Sequence, residues 1–273
     1  MNTTLTADLQ DELIRVAHAL ADAARPETLR LFRVPGLVSD DKLGENAGFD
    51  PVTEADRAAE RVMREILERD RPDDGIIGEE FATKTGTSGL TWVLDPIDGT
   101  RGYVAGTPTW GVLVSVADVT GPLFGIIDQP YIGERFSGGF GKASVVGPQG
   151  TQPLCVRRNR PFPEATLMST FPEVGTPREQ RAFERVVEKV KLTRFGMDCY
   201  AYALLAAGQI DLVIEAGLHP YDIHAPIAVI KAAGGIVSNW NGGAAHHGGR
   251  VIAAANADVH KVALAILQDA MDN

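Results

Sequence analysis

The chain has 273 residues, enough for one large domain or two moderate ones with a substantial buried core. Its formal net charge is −10, which argues against sequence-independent binding to nucleic acid or an anionic membrane, since both need clustered Lys and Arg. No run approaches the roughly 18 uninterrupted apolar residues of a membrane span, and Cys155 and Cys199 form neither a CxxC pair nor a disulfide framework. Reduced thiols and a cytoplasmic location are expected.

The opening segment MNTTLTADLQDELIRVAHAL has no basic leader, and Leu9, Leu13, Ile14, Val16, Ala17 and Leu20 recur at helical spacing. It predicts an amphipathic helix over about 7–24 and no signal peptide. Pro26 is expected to open a second short helix. The segment from Gly36 to Phe49 has turn residues and no apolar period, so it is a loop. Asp50 or Thr53 then caps a helix whose buried face carries Ala55, Ala58, Ala59, Val62, Met63, Ile66 and Leu67.

GIIGEE, TWVLD, GVLVSVA and LFGIID follow as short apolar runs bounded by Gly, Pro and Asp, and read as strands. The Gly/Ser/Pro-rich stretch 140–153 suggests a soft boundary between subdomains 1–145 and 146–273. Beyond it, PLCVRR, ATLMST and DLVIEA read as strands. PREQRAFERVVEKV, CYAYALLAAG, YDIHAPIAVIKAAG and DVHKVALAILQDAM read as helices. The alternation predicts a layered α/β fold with two subdomains and the active site between them.

Four acidic islands interrupt these elements: Asp56, Glu79-Glu80, Asp95-Pro-Ile-Asp98-Gly-Thr100 and Asp222. Taken alone, each has a structural reading: a solvent-facing helix residue, a solvated loop, a capped turn, an N-cap. Together they say more. Asp95 ends a buried strand, and Pro96 and Gly99 force a turn that returns Asp98 towards it. Two close carboxylates repel, and a divalent cation offsets that repulsion. Mg²⁺ suits oxygen donors, and N–H groups at a helix start near Gly99, Thr100 and Arg101 suit phosphate.

The run WVLDPIDGTRGYVAGTPTWGVLVSV resembles the signature of the inositol monophosphatase family, the lithium-sensitive Mg²⁺-dependent phosphatases. DPVTEADR, GIIGEE and YDIHAPIAVIKAAGG match its other motifs in order, so the resemblance spans about 8–270. It implies Glu79, Asp95, Asp98, Asp222 and the Ile97 carbonyl as metal ligands, with Asp56 holding a third, weaker metal through water. It implies Thr100 and Glu79 orienting the attacking water, and Gly99 and Thr100 binding phosphate through N–H groups. Lys42 is a further phosphate-contacting candidate, although its loop departs from the family in length. Metal-assisted hydrolysis, two or three Mg²⁺ ions and a homodimer are implied as well.

DCYAYALLAAG, DLVIEAG and IDQPYIGERF look like the histidinol-phosphate phosphatase branch, in which Met197 replaces a usual Gly. Glu215 and Asp198, seven and 24 residues before Asp222, would then read a cationic leaving group. Asp198 also suits an N-cap, and Arg194 would offset it as an ion pair. The expected reaction is hydrolysis of histidinol phosphate, a step of histidine biosynthesis. Inositol-1-phosphate is the alternative substrate; a bisphosphate nucleotide or fructose 1,6-bisphosphate fits less well, for want of a basic cluster near the motifs. A non-catalytic regulator would have lost a metal ligand, and none is lost. His219 and His224, flanking Asp222, are candidates for substrate contact or surface residues; Trp92, Trp110 and Trp240 read as packing.

Overall fold

The protein is described here by a computed structural model over residues 5–37, 39–41 and 51–272. Helix α1 (Ala7–Leu31) starts at Thr6, whose side chain accepts from the Leu9 N–H. It is one helix of 25 residues with Pro26 inside it, not the two helices expected from the sequence. The turn around the proline is held from both sides. Thr28 donates its hydroxyl to the Arg25 carbonyl at 3.0 Å, and Arg25 grips the buried Asp128 with two hydrogen bonds. A short antiparallel pair, β1 (Asp40–Asp41) with β2 (Pro51–Val52), leads to α2 (Glu54–Asp70). Thr53 and Asp56 close a reciprocal capping box at its start.

A seven-stranded sheet follows in chain order: β3 (Gly75–Gly78), β4 (Thr91–Asp98), β5 (Gly111–Asp118), β6 (Gly121–Gln129), β7 (Glu134–Gly139), β8 (Lys142–Gly147) and β9 (Gly150–Pro153). The first pair is parallel and the others are antiparallel. Helix α3 (Thr100–Ala105) sits between β4 and β5. The Gly/Ser/Pro-rich stretch 140–153 thus carries the β8–β9 hairpin, and the division expected at 145/146 falls inside β8. The run PLCVRR is not a strand, because the ladder ends at Pro153 and the Val156 N–H turns instead to the Ala233 carbonyl at 3.1 Å.

The remaining strands form a mixed five-stranded sheet. Its spatial order is β11 (Leu192–Phe195), β10 (Thr166–Ser169), β12 (Leu212–Leu218), β14 (Gly249–Ala254), β13 (Ile236–Asn239). Helices α4 (Pro177–Val187), α5 (Cys199–Ala206), α6 (Pro220–Ala232) and α7 (Ala257–Asp272) complete the chain.

Three cores define five alternating layers. Leu13, Val16, Leu20, Met63 and Leu67 of α1 and α2 pack on Trp92, Leu94, Val114 and Ile126 of the large sheet. Helices α5 and α6 fill the middle layer, where Ile223, Ile227 and Ile230 meet Leu113, Ile127 and Phe136 on one side and Val213, Val251 and Ala253 on the other. Helices α4 and α7 cover the small sheet's outer face through Phe183, Val259 and Leu267. Burial on both faces suits the apolar runs of β5 and β12. The middle helix lies very close to the large sheet. A Cβ at Gly125 would stand 2.6 Å from the Ala225 carbonyl oxygen, and one at Gly138 would stand 2.6 Å from the Val229 Cα. These glycines therefore set how far α6 descends, and with it the height of Asp222 at its N-terminal end.

Candidate active site

Strand β4 ends in the turn that carries the site. The Ile97 N–H donates to Asp95 Oδ1 at 3.1 Å, and Thr100 Oγ1 donates to the Ile97 carbonyl at 2.9 Å. Gly99 takes φ +85°, and a Cβ there would lie 2.7 Å from Cγ of Asp198, so both backbone and space require glycine. Asp98 Oδ2 accepts the Cys199 N–H at 2.6 Å, and Asp222 Oδ2 accepts the His219 N–H at 2.7 Å. The starts of α3, α5 and α6 thus converge, and their dipoles favour negative charge at that point.

Single oxygens of Asp95, Asp98 and Asp222 lie within 4.8 Å of one another. With Glu79 they line a cavity of about 320 Å³ between the two sheets. Asp95 is 2% exposed; burial first, then the Glu79, Asp98 and Asp222 charges, push it well above the usual carboxylate range. Burial and the charges of Asp198 and Asp222 do the same to Asp98. Burial, with added repulsion from Glu79 and Glu215, pushes Asp222 up to about 7 against the opposing His219 N–H. Four carboxylates held this way need a counter-charge, and a divalent cation with a preference for oxygen donors fits them. Asp95, Asp98, Asp222, Glu79 and the Ile97 carbonyl are the residues that would hold it.

Asp56 stands behind this group. It is fully buried, accepts from the Thr53 N–H and hydroxyl at 2.9 and 2.6 Å, and lies 3.4 Å from Thr100 Oγ1. It is not among the residues lining the cavity.

On the opposite wall are Asp198 and Glu215. Asp198 occupies the N-cap position of α5 but makes no side-chain cap bond, so the capping reading of this residue does not hold. Its φ of 46° and ψ of −140° lie outside the regions comfortable for a side chain with a Cβ, a strain that the surrounding packing must sustain. Burial raises it to about 6 against the Thr109 hydroxyl and the charge of Arg101. Glu215 is 6% exposed and accepts from the Thr170 N–H at 3.0 Å and the Tyr202 hydroxyl at 2.9 Å. Arg194 does not join them. It stands exposed on β11, outside the cavity, because β11 is the edge strand and β10 separates it from β12, which carries Glu215; the cation beside Asp198 is Arg101. Lys42 lies outside the described residues.

A profile of the inositol monophosphatase family matches residues 9–272. The chain belongs to that family. It is 36% identical over 269 residues to the bifunctional phosphatase IMPL2, chloroplastic, of Arabidopsis thaliana, covering 94% of this chain and 75% of that one. It is 33% identical to a histidinol-phosphatase of Mycobacterium tuberculosis, covering 86% and 91%. The solved structure of an inositol monophosphatase from Zymomonas mobilis superposes with a TM-score of 0.83 at 36% identity, over 97% of this chain and 100% of that one. The chain is thus a phosphatase of the inositol monophosphatase family, similar in sequence to histidinol-phosphatases.

Within this family member some working groups escape sequence reading. Glu60, on α2, is fully buried and accepts from the Glu80 N–H at 2.7 Å and the Phe81 N–H at 3.3 Å, while Arg64 pairs with it at 2.7 Å. It thereby fixes the turn that presents Glu79. A Glu on the buried face between Ala59 and Met63 is the signal that could have found it. The Cys199 N–H and the Thr170 and Tyr202 hydroxyls carry no such signal.

Proposed function

We propose that this phosphatase hydrolyses histidinol phosphate, with Mg²⁺ held by Glu79, Asp95, Asp98, Asp222 and the Ile97 carbonyl. The observation that carries the substrate reading is the second acidic wall. Asp198 and Glu215 face the cavity beyond the metal-binding oxygens, where a leaving alcohol would lie. A leaving group with an amine and an imidazole pairs with both carboxylates, whereas a neutral polyol leaves them to repel one another. Similarity to histidinol-phosphatases of Mycobacterium tuberculosis and Streptomyces coelicolor, each at 33% identity, supports the same reading.

Bound Mg²⁺ would supply Lewis acidity, making water nucleophilic near neutral pH and neutralising charge on phosphate and leaving oxygen. The chain's own residues do the positioning. The Gly99 and Thr100 N–H groups open α3 and face the phosphate. Thr100, its hydroxyl tied to the Ile97 carbonyl and backed by Asp56, orients the attacking water together with Glu79. Asp198 and Glu215 hold the alcohol so that its ester oxygen lies in line with that water.

Inositol-1-phosphate is the second reading. Arg101 lies close enough to Asp198 to offset its charge, and an inositol-1-monophosphatase of Caulobacter vibrioides is 29% identical over 250 residues. A homodimer, inhibition by lithium and a cytoplasmic location belong to the proposal as well; no helix of the described residues is long and apolar enough to cross a membrane. The test is Asp198→Ala assayed on two esters. KM for histidinol phosphate is expected to rise at least about tenfold more than KM for glycerol 2-phosphate. Equal rises on both esters would take Asp198 out of substrate reading.

A further inference from the structure

An aromatic ring stands open at the rim of this polar cavity. Phe171 is 42% exposed and lines it beside Asp198 and Glu215. The cavity's other aromatic residue, Tyr202, is 2% exposed and spends its hydroxyl on Glu215. Phe171 is not a loose loop residue. The preceding Thr170 donates its N–H to Glu215 Oε1 at 3.0 Å, and its carbonyl accepts the Gly196 N–H at 3.0 Å. The following Pro172 restricts the backbone of Phe171 and accepts the Val174 N–H at 3.1 Å. The ring is therefore presented from a fixed stem.

One face of the ring already meets a planar cation. The Arg101 guanidinium carbon lies 5.0 Å from the ring centroid, within the range of a cation–π contact. Arg101 follows Gly99 and Thr100, so this contact joins the phosphate end of the cavity to its alcohol end. An imidazolium is, like guanidinium, a flat delocalised cation. Resting on the reading that the substrate's alcohol is cationic, we propose that Phe171 is the platform on which the cationic part of the leaving alcohol lies, taking the place that the Arg101 guanidinium holds. The exchange conserves charge. The alcohol's cation replaces Arg101 on the ring and beside Asp198, and Arg101 meets the incoming phosphate, next to which its own backbone sits.

The test uses Phe171→Leu and Phe171→Trp with Mg²⁺ and three phosphomonoesters: histidinol phosphate, phosphorylcholine and glycerol 2-phosphate. Calorimetric binding of histidinol to each protein is a second readout, and thermal melting checks the fold. Leucine keeps apolar bulk and removes the π face. It is expected to cut kcat/KM on both cationic esters by about 5- to 30-fold, chiefly through KM, and to weaken histidinol binding alike. Glycerol 2-phosphate should change by less than about twofold, and tryptophan should restore the cationic esters. Equal changes on all three esters, no change on any, or failure of tryptophan to rescue would overturn the platform. The wild type's own ranking of substrates decides the histidinol reading separately. Were that ranking to favour glycerol 2-phosphate over histidinol phosphate, the leucine variant's contrast between phosphorylcholine and glycerol 2-phosphate would still decide for or against the platform.

Discussion

At Asp95, burial and three neighbouring carboxylates all penalise the ionised form, and only a bound cation reverses the sign. Asp95→Asn removes one charge from this crowd. The variant is expected to lose more than about a hundredfold in activity, and also the rise in melting temperature that Mg²⁺ gives the wild type. In the metal-free state it should melt no lower than the wild type, because repulsion is relieved. Substantial activity in the variant would contradict the ligand assignment. Glu60 works one step further out, through the turn that holds Glu79. Glu60→Gln keeps the shape but weakens two backbone contacts and the Arg64 pair. A fall in kcat of about tenfold to a hundredfold with near-unchanged secondary structure is expected; unchanged kcat would confine Glu60 to stability. The local motif Asp95 to Thr100 was legible because its geometry is set within six consecutive residues. Glu60 and Phe171 were not, since their partners, Glu80 and Arg101, come from distant segments.

Helix α1 is fastened to the large sheet by charge as well as by its apolar face. Asp128 is fully buried and receives Arg25 at 2.6 Å and Arg135 at 2.7 Å, while Arg135 also reaches Asp22 at 2.7 Å. Asp128→Ala would leave two arginines without their shared acceptor. A loss of about 3 kcal/mol in urea-induced unfolding is expected, at the low end for a broken buried pair because Arg25 reaches solvent. The kcat under saturating Mg²⁺ should hold, since none of Asp128, Arg25, Arg135 and Asp22 lines the cavity; a matching collapse of kcat would show that α1 also positions the site. This cross-link accounts for the misread at Pro26, because a long-range grip overrides a local helix breaker. The hairpin of β8 and β9 was missed for a related reason. Gly-rich, half-exposed strands have no strong apolar alternation, and their order comes from pairing to β7. By contrast, β4, β5 and β12 are buried on both faces and announced themselves as apolar runs.

Over the whole molecule, five layers bring the clustered carboxylates of the large sheet, with Asp222 on the middle helix, against Glu215 of the small sheet and Asp198 at the start of α5. The alternation of strand and helix patterns made that layering legible, whereas the pairing order, with β14 between β12 and β13, depends on contacts no local pattern encodes. Stability should carry an acid limb that is independent of the cavity. Burial, aided by Arg135, lowers His18 from 6.5, and burial alone lowers His260. A histidine with a depressed folded value favours folding in its neutral form. Its contribution is complete above about 6.5 and is lost as pH falls through the folded value. The urea midpoint is therefore expected to be lower at pH 5 than at pH 7.5, and the difference should shrink in His18→Gln; an unchanged difference would clear His18 of that role.

The most direct measurement is phosphate release, with Mg²⁺, from histidinol phosphate and inositol-1-phosphate side by side on one preparation. A kcat/KM ratio of about a hundredfold or more in favour of histidinol phosphate, roughly 2.7 kcal/mol of transition-state discrimination, is the predicted result. A preference for inositol-1-phosphate, or equal slow rates on both, would contradict the histidinol reading while leaving the phosphatase chemistry of the family intact.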